Sequence, residues 1–191
     1  MTVILFAGGD IRVSPELHDP SWDADRRERY LLRPDIGRPL SVDRCVWPQP
    51  ERREGLDDPL PWVGVEAVRR RWISSRGGSV TGWAVIAIGV VAADVAAREH
   101  LATHRGIDTM LEVGSTWRVL GYDVADEGSI SGLSNCGFDG DVGSLRAKWA
   151  SRINEHGLLA DPSDAISFRS MTDRRVPEHA PFEVYGIWLV P

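Results

Sequence analysis

The sequence predicts an α+β fold, in which helices pack on a small mixed β-sheet. The predicted elements run in the order strand, long excursion, helix, strand, helix, strand, loop, two helices and a final strand. A length of 191 residues and a hydrophobic content of 42% are typical of a globular protein. We therefore expect one domain spanning residues 1–191, large enough to bury a sizeable core.

Four short runs of β-favouring residues predict the strands, and they cover residues 3–6, 80–90, 117–124 and 182–190. The first run is expected to end at the Gly8-Gly9 pair. The second is apolar on both faces, which is typical of a strand at the centre of a sheet.

Helical periodicity predicts four helices, at residues 63–75, 92–104, 141–156 and 162–171. Asp141 is expected to cap the third helix, and Gly157 to stop it. Asp161 is expected to cap the fourth, with Pro162 at its first position.

A proline-rich excursion is predicted to follow the first strand. Residues 14–62 contain eight prolines, which favour extended segments and turns over regular structure. The same segment carries Trp22, Leu31, Leu32 and Trp47 among its apolar residues. We expect it to be ordered and to pack on the rest of the domain.

Charge and cysteine content restrict the function classes. The formal net charge is −6, which disfavours nonspecific binding to nucleic acid or an anionic membrane and suits a basic protein partner. The longest apolar run, residues 83–93, is too short to span a bilayer. Cys45 and Cys136 lack CxxC spacing, and no secretory signal follows Met1. We therefore expect reduced thiols, a cytoplasmic location and no zinc or thioredoxin-type site.

The acidic stretch, residues 123–141, carries five acids around a loop of small residues: Asp123, Asp126, Glu127, Asp139 and Asp141. They could ligate a hard cation, form caps and turns, or face a basic partner. The order of an EF-hand is not met, so no metal is predicted. Because a strand ends before this loop and a helix begins after it, we expect the five acids to lie near one rim at an edge of the sheet. There they would bind a partner.

Cys136 is a candidate nucleophile, with small neighbours in the sequence Asn-Cys-Gly. His104, His156 or His179 could then act as the base. The alternative is a buried or capping structural cysteine.

Four phrases carry a resemblance to a known family: WRVLGYDVAD, SGLSNCGF, NEHGLL and RVPEHAPFEVYGIWLV. Together they resemble the C-terminal part of bacterial immunity proteins from contact-dependent growth inhibition and related polymorphic-toxin systems. The resemblance covers about residues 116–190. It implies a cytoplasmic protein without enzymatic activity or a cofactor, which binds and neutralises one cognate toxin domain. Because immunity proteins recognise toxins through variable surfaces, no contact residue is transferred.

The leading hypothesis is therefore an immunity protein, or antitoxin, that blocks the C-terminal domain of a toxin stoichiometrically. A basic toxin domain is expected, with a nuclease favoured, because the chain is acidic and nuclease domains tend to be basic. Neither nucleic acid nor a membrane is expected as a partner. The alternative is a small hydrolase or transferase that uses Cys136 or the acidic stretch.

Overall fold

A computed structural model describes residues 3–10, 28, 31–36, 39–42, 85–91, 113–126, 130–133 and 141–191. The strands in this part are β1 (Val3–Asp10), β2 (Val85–Val91), β3 (Arg118–Ala125) and β4 (Glu183–Val190). The helices are α1 (Val142–Trp149) and α2 (Pro162–Arg175), with 3₁₀ turns at Ala150–Arg152 and Pro177–His179. The predicted helices at 63–75 and 92–104 lie outside the described residues.

The four described strands form one sheet in the order β1-β2-β4-β3. Every pairing among them is antiparallel. The α+β class agrees with this arrangement, but the prediction of a mixed sheet is wrong for these strands. The strands β2 and β3 run in the same direction, yet β4 lies between them, so they form no parallel pair. The expectation that β2 is central is confirmed.

A β-bulge in β3 changes which side chains face each side of the sheet. Val119 pairs with Trp188 and Gly121 pairs with Ile187, so Leu120 is the extra residue. Gly121 has a φ of +146°, and a Cβ built there would lie 2.6 Å from the Cβ of Leu158. Only glycine fits this backbone conformation and this close approach.

Side chains are buried on both faces of the described part of the sheet. On one face, Val124 and Val184 pack with α1 and α2, where the rings of Trp149 and Phe168 meet edge to face at 5.0 Å. On the other face, Tyr185 and other side chains form a second buried cluster, whose further members include Leu40, Val42, Leu120, Leu158 and Ile187. The sheet is therefore the middle layer of the described structure.

The helix predicted for residues 141–156 is shorter than expected. It ends at Trp149, and after the 3₁₀ turn Ile153 pairs with Leu159 across a tight turn. The side chain of Asn154 accepts hydrogen bonds from two backbone N–H groups of that turn and donates to the carbonyl of Leu120 at 2.7 Å. These bonds replace the helical ones. Gly157, at φ +78°, belongs to this turn and does not stop a helix.

The start of α2 agrees with the sequence. Asp161 occupies the N-cap and accepts a hydrogen bond from the N–H of Ser163 at 2.7 Å, with Pro162 at the first turn. The helix continues four residues beyond the predicted end at Met171, to Arg175. At the end of the chain, β4 begins at Glu183, one residue after the predicted start.

Part of the predicted excursion packs against the domain. In residues 31–36 and 39–42, the buried side chains include Leu31, Leu32, Ile36, Leu40 and Val42. Arg146 of α1 donates to the carbonyl of Leu31 at 2.9 Å, and the N–H of Leu40 donates to the carbonyl of His156 at 2.6 Å. The rest of residues 14–62 lies outside the described residues, apart from Glu28.

Neither described helix is long and apolar enough to cross a membrane.

Candidate functional site

The carboxylate of Asp123 is completely buried and holds three segments together. One oxygen accepts from the N–H of Val42 at 2.8 Å. The other accepts from the N–H of Val124 at 2.8 Å and from the hydroxyl of Ser131 at 2.6 Å. Alternation in β3 places Asp123 opposite Tyr185, on the face covered by Leu40 and Val42. The carboxylate is therefore a structural acceptor within the fold.

Asp126 is also buried, and it holds a turn and a histidine. Its Oδ1 accepts from the N–H of Ile130 at 2.8 Å, while its own N–H donates to the carbonyl of Ile130 at 3.1 Å. Its Oδ2 lies 3.1 Å from Nδ1 of His179, in the 3₁₀ turn before β4. The side chain of Asp126 is 7% exposed and that of His179 is 48% exposed. A buried carboxylate thus orients a solvent-accessible imidazole.

Asp141 lies at the start of α1, and its side chain is half-exposed. It occupies the N-cap position, but its carboxylate accepts no backbone hydrogen bond there. It accepts instead from the hydroxyl of Ser144 and pairs with Arg175 at the end of α2. The hydrogen bond from Ser144 and then that from Arg175 lower the pKa of Asp141 below the ordinary aspartate value. Asp141 therefore contacts the side chains of Ser144 and Arg175 and does not cap the backbone of α1.

The structure brings two ends of the acidic stretch to the same neighbouring segment. Asp126 contacts His179 and Asp141 contacts Arg175, and these two partners are four residues apart. Of the three described acids, Asp123 and Asp126 are buried and Asp141 is accessible, so they do not all face outward. The carboxylates of Asp123 and Asp126 are directed inward because backbone and side-chain donors of the fold need them.

Other predicted site residues lie outside the described part of the chain. These are Glu127, Asp139, Cys136 and His104. Among the described residues, no group of three or more His, Cys, Asp or Glu side chains is placed to hold a metal ion.

The exposed groups around Asp126 and Asp141 carry both signs of charge. Among the described residues here, Glu178 and Asp141 are accessible acids, and Arg174 and Arg175 are accessible bases. Asp141 is already paired with Arg175, which reduces the local negative field. The described part of this surface is therefore mixed in charge.

Sequence reasoning missed Arg175 and Ser144 as partners of Asp141, and Ser131 as a partner of Asp123. Ser144 could have been found, because it lies three residues after an expected cap. Arg175 and Ser131 could not be paired with these acids from one sequence, because their contacts depend on how α2 and the β3 turn pack. His179 was identified as a candidate base, but its partner Asp126 was not.

No protein-family model, curated protein or solved structure matches this chain.

Proposed function

We propose that this protein is an immunity protein that binds and neutralises a cognate bacterial toxin domain by stoichiometric protein–protein interaction. The sequence resemblance over residues 116–190 motivates the proposal. The main structural support comes from Asp123 and Asp126, the two acids in the phrase GYDVAD. Both carboxylates accept hydrogen bonds that hold the fold together.

These structural roles agree with a family in which the shared residues maintain the fold. Asp123 ties β3 to the segment around Val42, and Asp126 closes the turn after β3. Side chains committed in this way are constrained by folding, so they give a recurring sequence phrase without any catalytic role. Partner recognition would then fall to exposed side chains, which folding leaves free to vary.

The proposed partner is the basic C-terminal domain of a toxin, with a nuclease favoured. A chain of formal net charge −6 would attract such a domain over long distances and accelerate the encounter. We propose a cytoplasmic location, because a toxin that acts inside the cell must be met there.

Co-expression tests the proposal. An immunity gene is expected directly downstream of its toxin gene, so the domain encoded there is induced in cells that carry either this protein or an empty vector. We expect normal growth with the protein and growth arrest without it. A matched control is a second toxin domain of a different class, which should kill both strains. Equal killing by the cognate domain with and without the protein would refute the proposal.

A second candidate is a small hydrolase or transferase, and the Asp126–His179 pair is the observation that favours it. A buried carboxylate that orients an exposed imidazole is the base-and-orienter part of a nucleophilic site. Its proposed nucleophile is Cys136. The single variant Cys136→Ser separates the two functions. If the protein is an enzyme, the folded Cys136→Ser variant should lose its activity, or its ability to protect cells from the toxin domain. If it is a binding protein, the variant should still protect cells.

A further inference from the structure

The turn between α2 and β4, residues 177–181, is an exposed segment on a firmly held base. All five of its residues are exposed, although Val176 before it and Phe182 after it are buried. Its composition is two prolines, an alanine, Glu178 and His179. It therefore presents one charged group and one imidazole between apolar neighbours.

Hydrogen bonds hold the turn at both ends. The N–H of His179 donates to the carbonyl of Val176 at 3.0 Å. Beyond the turn, the N–H of Phe182 donates to Oδ1 of Asp173 at 2.8 Å, and Nε of Arg169 donates to the carbonyl of Phe182 at 2.6 Å. Both of these side chains belong to α2. The ends of the turn are thus fixed to the helix that precedes it.

The His179 ring is held as well as the backbone. Its Nδ1 lies 3.1 Å from the buried carboxylate of Asp126, which the N–H of Ile130 holds in turn. Within the described residues, the ring has a hydrogen-bond partner at Nδ1 and none at Nε2. A protein surface that has already lost its conformational freedom binds with a smaller entropic cost. The backbone of the turn and Nε2 of His179 are therefore already arranged before a partner binds, with Glu178 exposed beside them.

We propose that the turn at residues 177–181 is a principal contact for the toxin domain, a proposal that rests on the function proposed above. The partner surface it fits carries an arginine or lysine side chain against Glu178 and a polar group at Nε2 of His179. This chemistry agrees with the net charge of −6 of the whole chain.

The chain contains a matched control for this contact. Glu155 and His156 form a second Glu-His pair in a turn, where the Glu155 side chain is 82% exposed and that of His156 is 28% exposed. That turn contacts Leu120 near the start of β3, whereas the turn at 177–181 contacts Asp126, just beyond the end of β3. The same two substitutions can therefore be made at two separate places with the same change in net charge.

The experiment measures the kinetics of binding to the purified cognate toxin domain. It compares wild type with Glu178→Arg/His179→Ala and with Glu155→Arg/His156→Ala, at low and high salt. We expect the first double variant to lose affinity by at least about tenfold, as for a reversed charge at an interface, and the control to stay within about threefold of wild type. Any decrease in the association rate constant relative to wild type should be smaller at high salt than at low salt.

A third variant, Glu178→Arg alone, keeps the Asp126–His179 pair and so tests the contact without removing the partner of a buried carboxylate. Loss of affinity in this folded variant supports the proposal. Wild-type affinity in it, or an equal loss in the Glu155→Arg/His156→Ala control, overturns the proposal while the immunity function stands. A wild-type protein that fails to bind the toxin domain at all refutes the proposed function itself.

Discussion

The backbone N–H of Val42 donates to the buried carboxylate of Asp123 at 2.8 Å, across 81 residues of sequence. This bond fixes the segment at residues 39–42 on the face of the sheet opposite the helices. The side chain of Val42 packs there with Leu120 and Tyr185. Hydrogen bonds from Val42, Val124 and Ser131 satisfy this buried side chain, because buried polar atoms without partners are strongly destabilising.

Replacing Asp123 with asparagine tests this role. The amide has one acceptor oxygen where the carboxylate has two, so at least one of the three buried donors loses its acceptor. We expect Asp123→Asn to lower the free energy of unfolding by about 2–4 kcal/mol in urea denaturation. Glu155→Gln, on an exposed side chain, is the control and should stay within about 0.5 kcal/mol. An Asp123→Asn protein as stable as this control would contradict the structural role.

Gly121 allows a second stability test. A methyl group there would approach the Cβ of Leu158 to 2.6 Å, on a backbone with φ +146°. Gly121→Ala should therefore destabilise the protein by about 2–4 kcal/mol, through strain and overpacking. Gly143 in α1 has no atom within 4 Å of its built Cβ, so Gly143→Ala should stabilise it by about 0.5–1 kcal/mol. Thermal or urea unfolding that shows similar shifts for both variants would contradict the bulge at Leu120.

Asp141 gives a prediction about pH. Its pKa is lowered in the folded protein, so its favourable contribution is complete above the ordinary aspartate pKa and is lost as pH falls below that value. The hydrogen bond from Ser144 is the largest cause of this lowering, so Ser144→Ala should raise the pKa of Asp141 toward its ordinary value. An NMR titration of the side-chain carboxyl carbon measures the change. Ser170→Ala, on the exposed side of α2, is the control. An unchanged Asp141 pKa in Ser144→Ala would show that Ser144 does not hold the carboxylate.

Local sequence signals predicted the elements that depend on neighbouring residues. The Asp161-Pro162 start of α2 is an example, because a cap and a proline at the first turn act within a few residues. The strands β2, β3 and β4 were located for the same reason, since each is a continuous run of β-favouring residues.

Contacts between distant residues limited the rest of the prediction. The helix predicted to reach residue 156 ends at Trp149, because Asn154 bonds to Leu120 of another element. At the candidate site, the sequence identified acids without indicating that Asp123 would be buried under Val42. One sequence contains no record of such long-range partners, and tertiary contacts override local preference.

The proposed function requires that this protein neutralises a toxin domain by binding it one to one. The most direct measurement titrates the purified protein against a fixed amount of the purified cognate toxin domain, in that domain's own activity assay, at concentrations well above the dissociation constant. We expect a linear fall in toxin activity that reaches zero at one equivalent of this protein. Full toxin activity in the presence of a large molar excess would contradict it.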